Sequence, residues 1–235
     1  MRLLLLSNSR NPGGGWLDHA EDEIRDFLGP PHLTNPAPLL FFPFAAVSIT
    51  FDAYAEMARR RFSRFGFQVL NANKVKSTAN VGGFVAGGGN TFRLLDEMQR
   101  RGWLAAVRRA VLRGKPYIGW SAGSNLACPS IRTTNDMPIV EPRSLAAMGL
   151  VPFQLNPHYT ERTFSGHGGE TRDQRLAEFL ALNPKTKVLG LREGSLLRLE
   201  NRELQLKQGP GAKLFSGSRT KKFKAGADLS FLLRK

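Results

Sequence analysis

A single cysteine, Cys128, leaves this 235-residue chain no internal disulfide, and its four histidines (His19, His32, His158, His167) are scattered rather than set at metal-ligand spacing. These scarcities exclude a disulfide-stapled scaffold and a zinc module. They point to metal-free, cofactor-free chemistry in a reducing, cytoplasmic compartment. Long apolar runs are also missing. The run Leu3-Leu4-Leu5-Leu6 stops at Ser7, short of the about 7–15 residues of a signal-peptide core and far short of the about 20 of a membrane span. It reads as a buried first strand, and no membrane partner is expected. Acidic residues are few, 19 against 34 Lys and Arg, giving a net charge of +15 that draws anions to the surface. The basic residues are spread through Arg59-Arg60-Arg61, Arg100-Arg101, Arg108-Arg109 and the tail 213–235, with no interleaved aromatics to stack bases. They read as solvated helix faces, and nucleic acid is not an expected partner. No linker-like stretch divides the chain. Four prolines between Pro30 and Pro38 read as a loop between a helix and a strand, so residues 1–235 are taken as one catalytic domain. With 41% hydrophobic residues such a domain buries its own core.

What is present alternates between short apolar runs and helical patterns, the signature of a mostly parallel sheet covered on both faces: a three-layer α/β/α sandwich. Strands are expected at Leu3–Leu6, Leu39–Phe42, 67–70, Gly83–Ala86, Tyr117–Trp120 and 187–191. Helices are expected at 16–28, around Tyr54 to Phe65, at Thr91–Arg100, 104–113, just after Ser121, and at 171–182. Tyr54, Met57, Phe62 and Phe65 recur at helical spacing and read as core. Residues 71–82 are polar and irregular. From Ser195 onward, leucine pairs separated by Asn201 and Gly209-Pro210-Gly211 predict antiparallel hairpins closing the sheet edge.

The chemistry centres on Gly119-Trp120-Ser121-Ala122-Gly123, which fits G-x-S-x-G. A serine projecting from a sharp strand-to-helix turn occupies crowded, strained backbone. Glycines two before and two after it remove the Cβ atoms that would collide. A hydroxyl needs a base to take its proton, and histidine is the natural one. His158, in Asn156-Pro157-His158, is expected on a loop at a strand end. His167, in Gly166-His167-Gly168-Gly169, is its rival in a loop suited to a lid. The third member, a carboxylate fixing the imidazole tautomer, is Asp136 in a polar turn or Glu193 at the end of a late strand. Spacing does not separate the two. Gly87-Gly88-Gly89-Asn90 follows a strand and opens a helix. Its spacing matches neither G-x-G-x-x-G nor the P-loop and no Lys-Ser/Thr follows, so it reads better as half of an oxyanion hole completed by the amide of Ala122 than as a phosphate cradle.

Several segments together resemble the peptidase E family of serine peptidases: residues 3–9, Gly87 to Phe92 (GGGNTF), Tyr117 to Ala127 (YIGWSAGSNLA), Ile131 to Val140 (IRTTNDMPIV), Asn156-Pro157-His158, and Gly169 to Arg172 (GETR). The resemblance runs in order from the N-terminus to about Glu193, and the last ~40 residues follow it loosely. It implies a fold similar to class I glutamine amidotransferases, with serine in place of cysteine, and metal-free hydrolysis of Asp-Xaa dipeptides. Position by position it implies Ser121 as nucleophile, His158 as base, Asp136 (placed first) or Glu193 as acid, Gly89 and Ala122 as oxyanion donors, and Arg172 as receiver of the aspartyl carboxylate. A planar guanidinium suits that task through paired hydrogen bonds. The expected partner is a small acidic dipeptide, with the protein a monomer or homodimer. Two rival functions stay open: a cyanophycinase-like hydrolase of β-linked aspartyl substrates, and a non-catalytic polyanion binder on a hydrolase scaffold.

Overall fold

A computed structural model of the chain describes residues 1–30, 37–163, 166 and 168–234. His32 and the rival base His167 lie outside the described residues. Five short strands, Leu3–Leu6 (β1), Leu39–Phe42 (β2), Val69–Asn71 (β3), Gly83–Ala86 (β4) and Tyr117–Trp120 (β5), are followed by six more: Gln154–Tyr159 (β6), Lys187–Arg192 (β7), Leu196–Glu200 (β8), Glu203–Lys207 (β9), Ala212–Ser216 (β10) and Arg219–Phe223 (β11). The α-helices are Glu21–Leu28 (α1), Phe51–Arg64 (α2), Thr91–Arg100 (α3), Trp103–Leu112 (α4), Ala122–Leu126 (α5) and Arg172–Leu182 (α6), and short 3-10 turns lie at Asp18–Ala20 and Ser230–Leu233.

The main sheet has the order β3-β2-β4-β5-β1-β8-β9, parallel from β3 to β1 and antiparallel at β8 and β9. Its central strands are apolar throughout because both faces are covered. Successive side chains point to opposite faces. Leu3, Leu5, Phe42, Phe84 and Tyr117 therefore join one core with α3, α4 and α5, while Leu4, Leu6, Phe41, Val85 and Trp120 join a second core with α1 and α2. These are the three layers of an α/β/α fold.

Four differences from the sequence reading concern placement. The second hairpin, β10–β11, does not extend the main sheet. It pairs with β7, and β7 with β6, in a second sheet of order β11-β10-β7-β6. Inward leucines of that sheet, Leu155, Leu189 and Leu214, share the first core, and α6 packs through Leu176 and Leu180 against Val188, Tyr159 and Phe215. Residues 16–20 are not part of the first helix. Leu17 has φ 62° and the Asp18 side chain accepts the Gly15 N–H, which delays α1 to Glu21 and leaves Trp16 against Tyr54 and Trp120. Met57 is on the solvent side of α2, 45% exposed, while Tyr54, Phe62 and Phe65 are buried as expected. The third strand starts two residues later than 67 and lies at the sheet edge, where Leu70 is exposed.

Candidate active site

The C-terminal ends of β4, β5 and β1 lie side by side, the edge at which open α/β sheets assemble sites. Ser121 stands at the turn from β5 into α5 with φ 51° and ψ −112°, outside the regions open to ordinary residues. The strain is held in place by close packing. A Cβ on Gly119 would fall 2.5 Å from the Gly123 carbonyl, and one on Gly123 would overlap the Ala86 carbonyl oxygen of β4. Ser121 N–H donates to Leu6 in β1 at 3.1 Å, and the Ser124 hydroxyl, one turn on, donates to Leu6 and Gly119. The turn is thus pinned to both flanking strands.

His158 approaches from the second sheet. Its Nε2 lies 3.0 Å from Ser121 Oγ, and its Nδ1 lies 2.6 Å from Glu193 Oε1. The expected loop position is corrected: His158 is within β6, in left-handed backbone (φ 54°), where the pairing with β7 shifts register between Asn156 and Tyr159. Pro157 has no N–H to give the ladder, so the irregularity falls there, and the bulge re-aims the imidazole toward the main sheet. The Ser7 hydroxyl just past β1 accepts His158 N–H at 2.9 Å and donates to the Leu191 carbonyl of β7 at 2.8 Å. The turn carrying Glu193 is tied down by Gly194 N–H donating to Asn8 Oδ1 at 2.7 Å.

Asp136, placed first among the acids, is not at the imidazole. Its Oδ2 accepts from Thr91 N–H (2.7 Å), the Thr91 hydroxyl and the Thr134 hydroxyl, so it fastens its own loop to the first turn of α3. A carboxylate at that helix start is favoured by the free amides and the dipole there. The carboxylate beside His158 is Glu193.

Among the described residues, the amides of Gly88 and Gly89 have no hydrogen-bond partner. Ala122, first residue of α5, has no intrahelical acceptor for its own N–H. Gly88 abuts Ser121: a Cβ there would lie 3.1 Å from the serine Cβ. Gly89 has φ 131°, and a side chain would overlap the Ala45 carbonyl, so only glycine fits.

Arg172 opens α6 behind a Thr171 capping box with Gln174. Its guanidinium donates to Asn135 Oδ1, and no carboxylate pairs with it among the described residues. Burial, and then the neighbouring Arg175, lower its pKa, the direction expected of an uncompensated cation. Asn135 donates to the Pro157 carbonyl at 2.7 Å and receives a bond from Asn156 at 2.6 Å, which fixes the arginine relative to His158. Ser121, Asn125, Asn135, Asp136, His158 and Arg172 are among the residues lining one pocket of about 260 Å³.

Against known sequences, the model of peptidase family S51 matches residues 3–207. Two relatives bearing the name Peptidase E are close in length and sequence. That of Nostoc sp. is 44% identical over 239 residues, covering 100% of this chain and 97% of its own, and that of Shewanella amazonensis is 45% identical over 240 residues, covering 99% of each. The chain belongs to peptidase family S51. Among solved structures, a peptidase from an acI-B1 Actinobacterium superposes with a TM-score of 0.71 at 16% identity, covering 98% of this chain and 96% of its own. A putative peptidase E from Listeria monocytogenes superposes with a TM-score of 0.65 at 20% identity, covering 88% and 98%. At such identities these two establish the shared fold.

The span matched to family S51 contains every site residue named above, and β10 and β11 lie beyond it. Among the described residues of this S51 peptidase, no cluster of His, Cys, Asp and Glu could hold a metal ion, and no helix is long and apolar enough to cross a membrane. Sequence reading missed four supporting residues: Ser7, Asn8, Asn135 and Asn156. Polar side chains directly after an all-leucine strand were the available signal for Ser7 and Asn8. Asn135 and Asn156 were in view only as neighbours of Asp136 and His158.

Proposed function

We propose that this S51 peptidase is a serine dipeptidase that releases N-terminal aspartate from Asp-Xaa, with Ser121, His158 and Glu193 as its triad. The observation that carries this reading is the His158 ring standing between Ser121 Oγ at 3.0 Å and Glu193 at 2.6 Å. Glu193 accepts from Nδ1–H, which leaves Nε2 as the acceptor facing the serine. Ser121 Oγ attacks the aspartyl carbonyl carbon as its proton passes to His158 Nε2. The carbonyl oxygen becomes an oxyanion facing the amides of Gly89 and Ala122. The imidazolium then protonates the leaving amine as the C–N bond breaks. Water, losing a proton to His158, attacks the acyl-enzyme and frees aspartate and Ser121.

Arg172 supports the acidic specificity. A half-buried guanidinium without a carboxylate partner gains most from a substrate that brings one, and an uncharged side chain leaves it unpaired. Aspartate, the shorter acid, is favoured by the small pocket. The test is a kinetic panel of Asp-Leu, Glu-Leu, Asn-Leu and β-Asp-Leu with the purified protein and Ser121→Ala. Turnover of Asp-Leu that collapses for the other three and vanishes in Ser121→Ala supports the reading. A preference for β-Asp-Leu transfers it to the β-aspartyl alternative, and full activity of Ser121→Ala removes serine catalysis altogether.

A further inference from the structure

The Gly87-Gly88-Gly89 turn has a buried partner that the mechanism above leaves unused. Tyr54, on α2, reaches through the second core so that its hydroxyl donates to the Gly88 carbonyl at 3.1 Å. The same oxygen accepts the indole N–H of Trp120, the residue before the nucleophile, at 3.1 Å. Donor and acceptor capacities are therefore both used, and the phenol is buried at 8% exposure. Burial raises its pKa, so it remains a protonated donor. The ring is held edge-on to Phe41 at 5.1 Å and beside Trp16, which leaves it little freedom to turn.

Gly87 is glycine for this phenol: a Cβ there would lie 2.6 Å from Tyr54 Oη. Gly88 is glycine for Trp120 and Ser121, since its Cβ would lie 2.9 Å from Trp120 Cδ1 and 3.1 Å from the serine Cβ. Two of the three glycines in the turn thus admit the Tyr54–Trp120 pair and the nucleophile side by side.

A trans peptide unit is planar, with its C=O and N–H pointing in opposite directions, and among the described residues no peptide is cis. The Gly88 carbonyl and the Gly89 N–H belong to one such unit. Drawing the carbonyl back toward α2 turns the Gly89 amide outward, on the exposed side of a turn that abuts Ser121. We infer that Tyr54 is a positioning residue that aims the Gly89 amide into the oxyanion hole, with Trp120 coupling that aim to the nucleophile turn. Tyr54 touches no reacting atom. It acts through the orientation of one peptide plane, which an otherwise free glycine pair would not keep. This rests on the serine-hydrolase reading above and adds a residue to it.

The experiment compares wild type, Tyr54→Phe and Ser121→Ala for Asp-Leu turnover, for labelling of Ser121 by a fluorophosphonate, and for binding of free aspartate. Removing a whole oxyanion donor typically lowers kcat by about 10²–10³, and releasing its orientation should cost less, about 10–100-fold. Tyr54→Phe is expected to lose kcat and labelling rate by that factor together, with KM and aspartate affinity within about threefold of wild type. A merely structural role would weaken aspartate binding in step with kcat. That outcome overturns the inference, as does a kcat within twofold of wild type. Should Tyr54→Phe fail to fold, replacing the Trp120 side chain with benzothienylalanine, which exchanges the indole N–H for sulfur and keeps the bicyclic ring, is expected to lose kcat in the same pattern, and unchanged turnover there overturns the inference. Failure of the hydrolase reading looks different: wild type is not labelled, or Ser121→Ala keeps its activity.

Discussion

At the scale of single residues, the two acids near the site differ in what they touch, and that difference is measurable. Glu193 meets the imidazole at 2.6 Å, whereas among the described residues the Asp136 carboxylate bonds Thr91 and Thr134. Glu193→Gln keeps the shape and loses the charge that stabilises an imidazolium. By analogy with the aspartate of serine-protease triads, kcat should fall by about 10²–10⁴. Asp136→Asn keeps an acceptor oxygen for the same donors and should stay within about tenfold of wild type. Steady-state kinetics on the two variants decide the assignment, and the reverse order of severity would restore Asp136. Arg172 gives a second prediction. Truncating one member of a desolvated charge pair costs about 2–5 kcal/mol. Arg172→Met should therefore lower kcat/KM for Asp-Leu by about 30-fold or more while leaving the slow Asn-Leu reaction near its wild-type rate. Equal losses on both substrates would assign Arg172 to holding the loop through Asn135 rather than to reading charge.

At the scale of elements, the turn after β5 stores strain that its neighbours hold. Gly123→Ala would drive a methyl into the Ala86 carbonyl of β4, backbone that cannot rotate aside. Gly102 has φ 72°, but a Cβ added there would meet nothing within 4 Å, so Gly102→Ala carries conformational strain alone. Urea unfolding should show a loss of about 1 kcal/mol for Gly102→Ala and about 3 kcal/mol or more for Gly123→Ala. Comparable losses would mean that the elbow relaxes freely. The same elements show what the sequence made legible. Leu3–Leu6, Leu39–Phe42 and Tyr117–Trp120 read as buried strands because both their faces are covered, and the Gly119/Gly123 pair marked the elbow by steric logic. The second sheet was not legible. A hairpin's alternation of leucines says that it has a buried face but not which sheet it joins, and Pro157 made β6 look like a loop. The choice between Asp136 and Glu193 depended on that missing fact. Glu193 reaches His158 because β6 and β7 are neighbours in the second sheet, a long-range pairing that no local spacing encodes.

At the scale of the whole molecule, one ion cluster lies behind the site, where β6, β7, β10 and α6 meet. Lys213, with its side chain only 9% exposed, bonds Glu161 at 3.0 Å and Asp173, while Arg192 and Lys222 also reach Glu161 and the Tyr159 hydroxyl donates to Asp173. Tyr159, Asp173 and Arg192 are the chain neighbours of His158, Arg172 and Glu193, so three elements that carry side chains of the candidate site converge on one set of charges. Burial pulls the Lys213 pKa down, and its bonds to Asp173 and Glu161 more than reverse this. Lys213→Met leaves Asp173 with no cation among the described residues and takes one of three cations from Glu161. Complete burial would make that cost about 3–5 kcal/mol, but Glu161 and Asp173 are each more than a third exposed, so about 2 kcal/mol is expected. Glu161 gives the cluster a pH signature. The hydrogen bond from Lys213, and then that from Arg192, hold its pKa down to about 2, against an ordinary value of 4.5. A carboxylate depressed in the folded state binds fewer protons there than in the unfolded chain. Its stabilisation is full above the unfolded value and drains away as pH falls through the folded one. Wild type should therefore exceed Glu161→Gln by a constant margin above about pH 5, with the margin narrowing from pH 4.5 and vanishing near pH 2. Denaturant melts of the two proteins across that range check it, and a margin that stays flat from pH 6 to pH 3 would mean that the cations at this seam do not depend on Glu161 being charged.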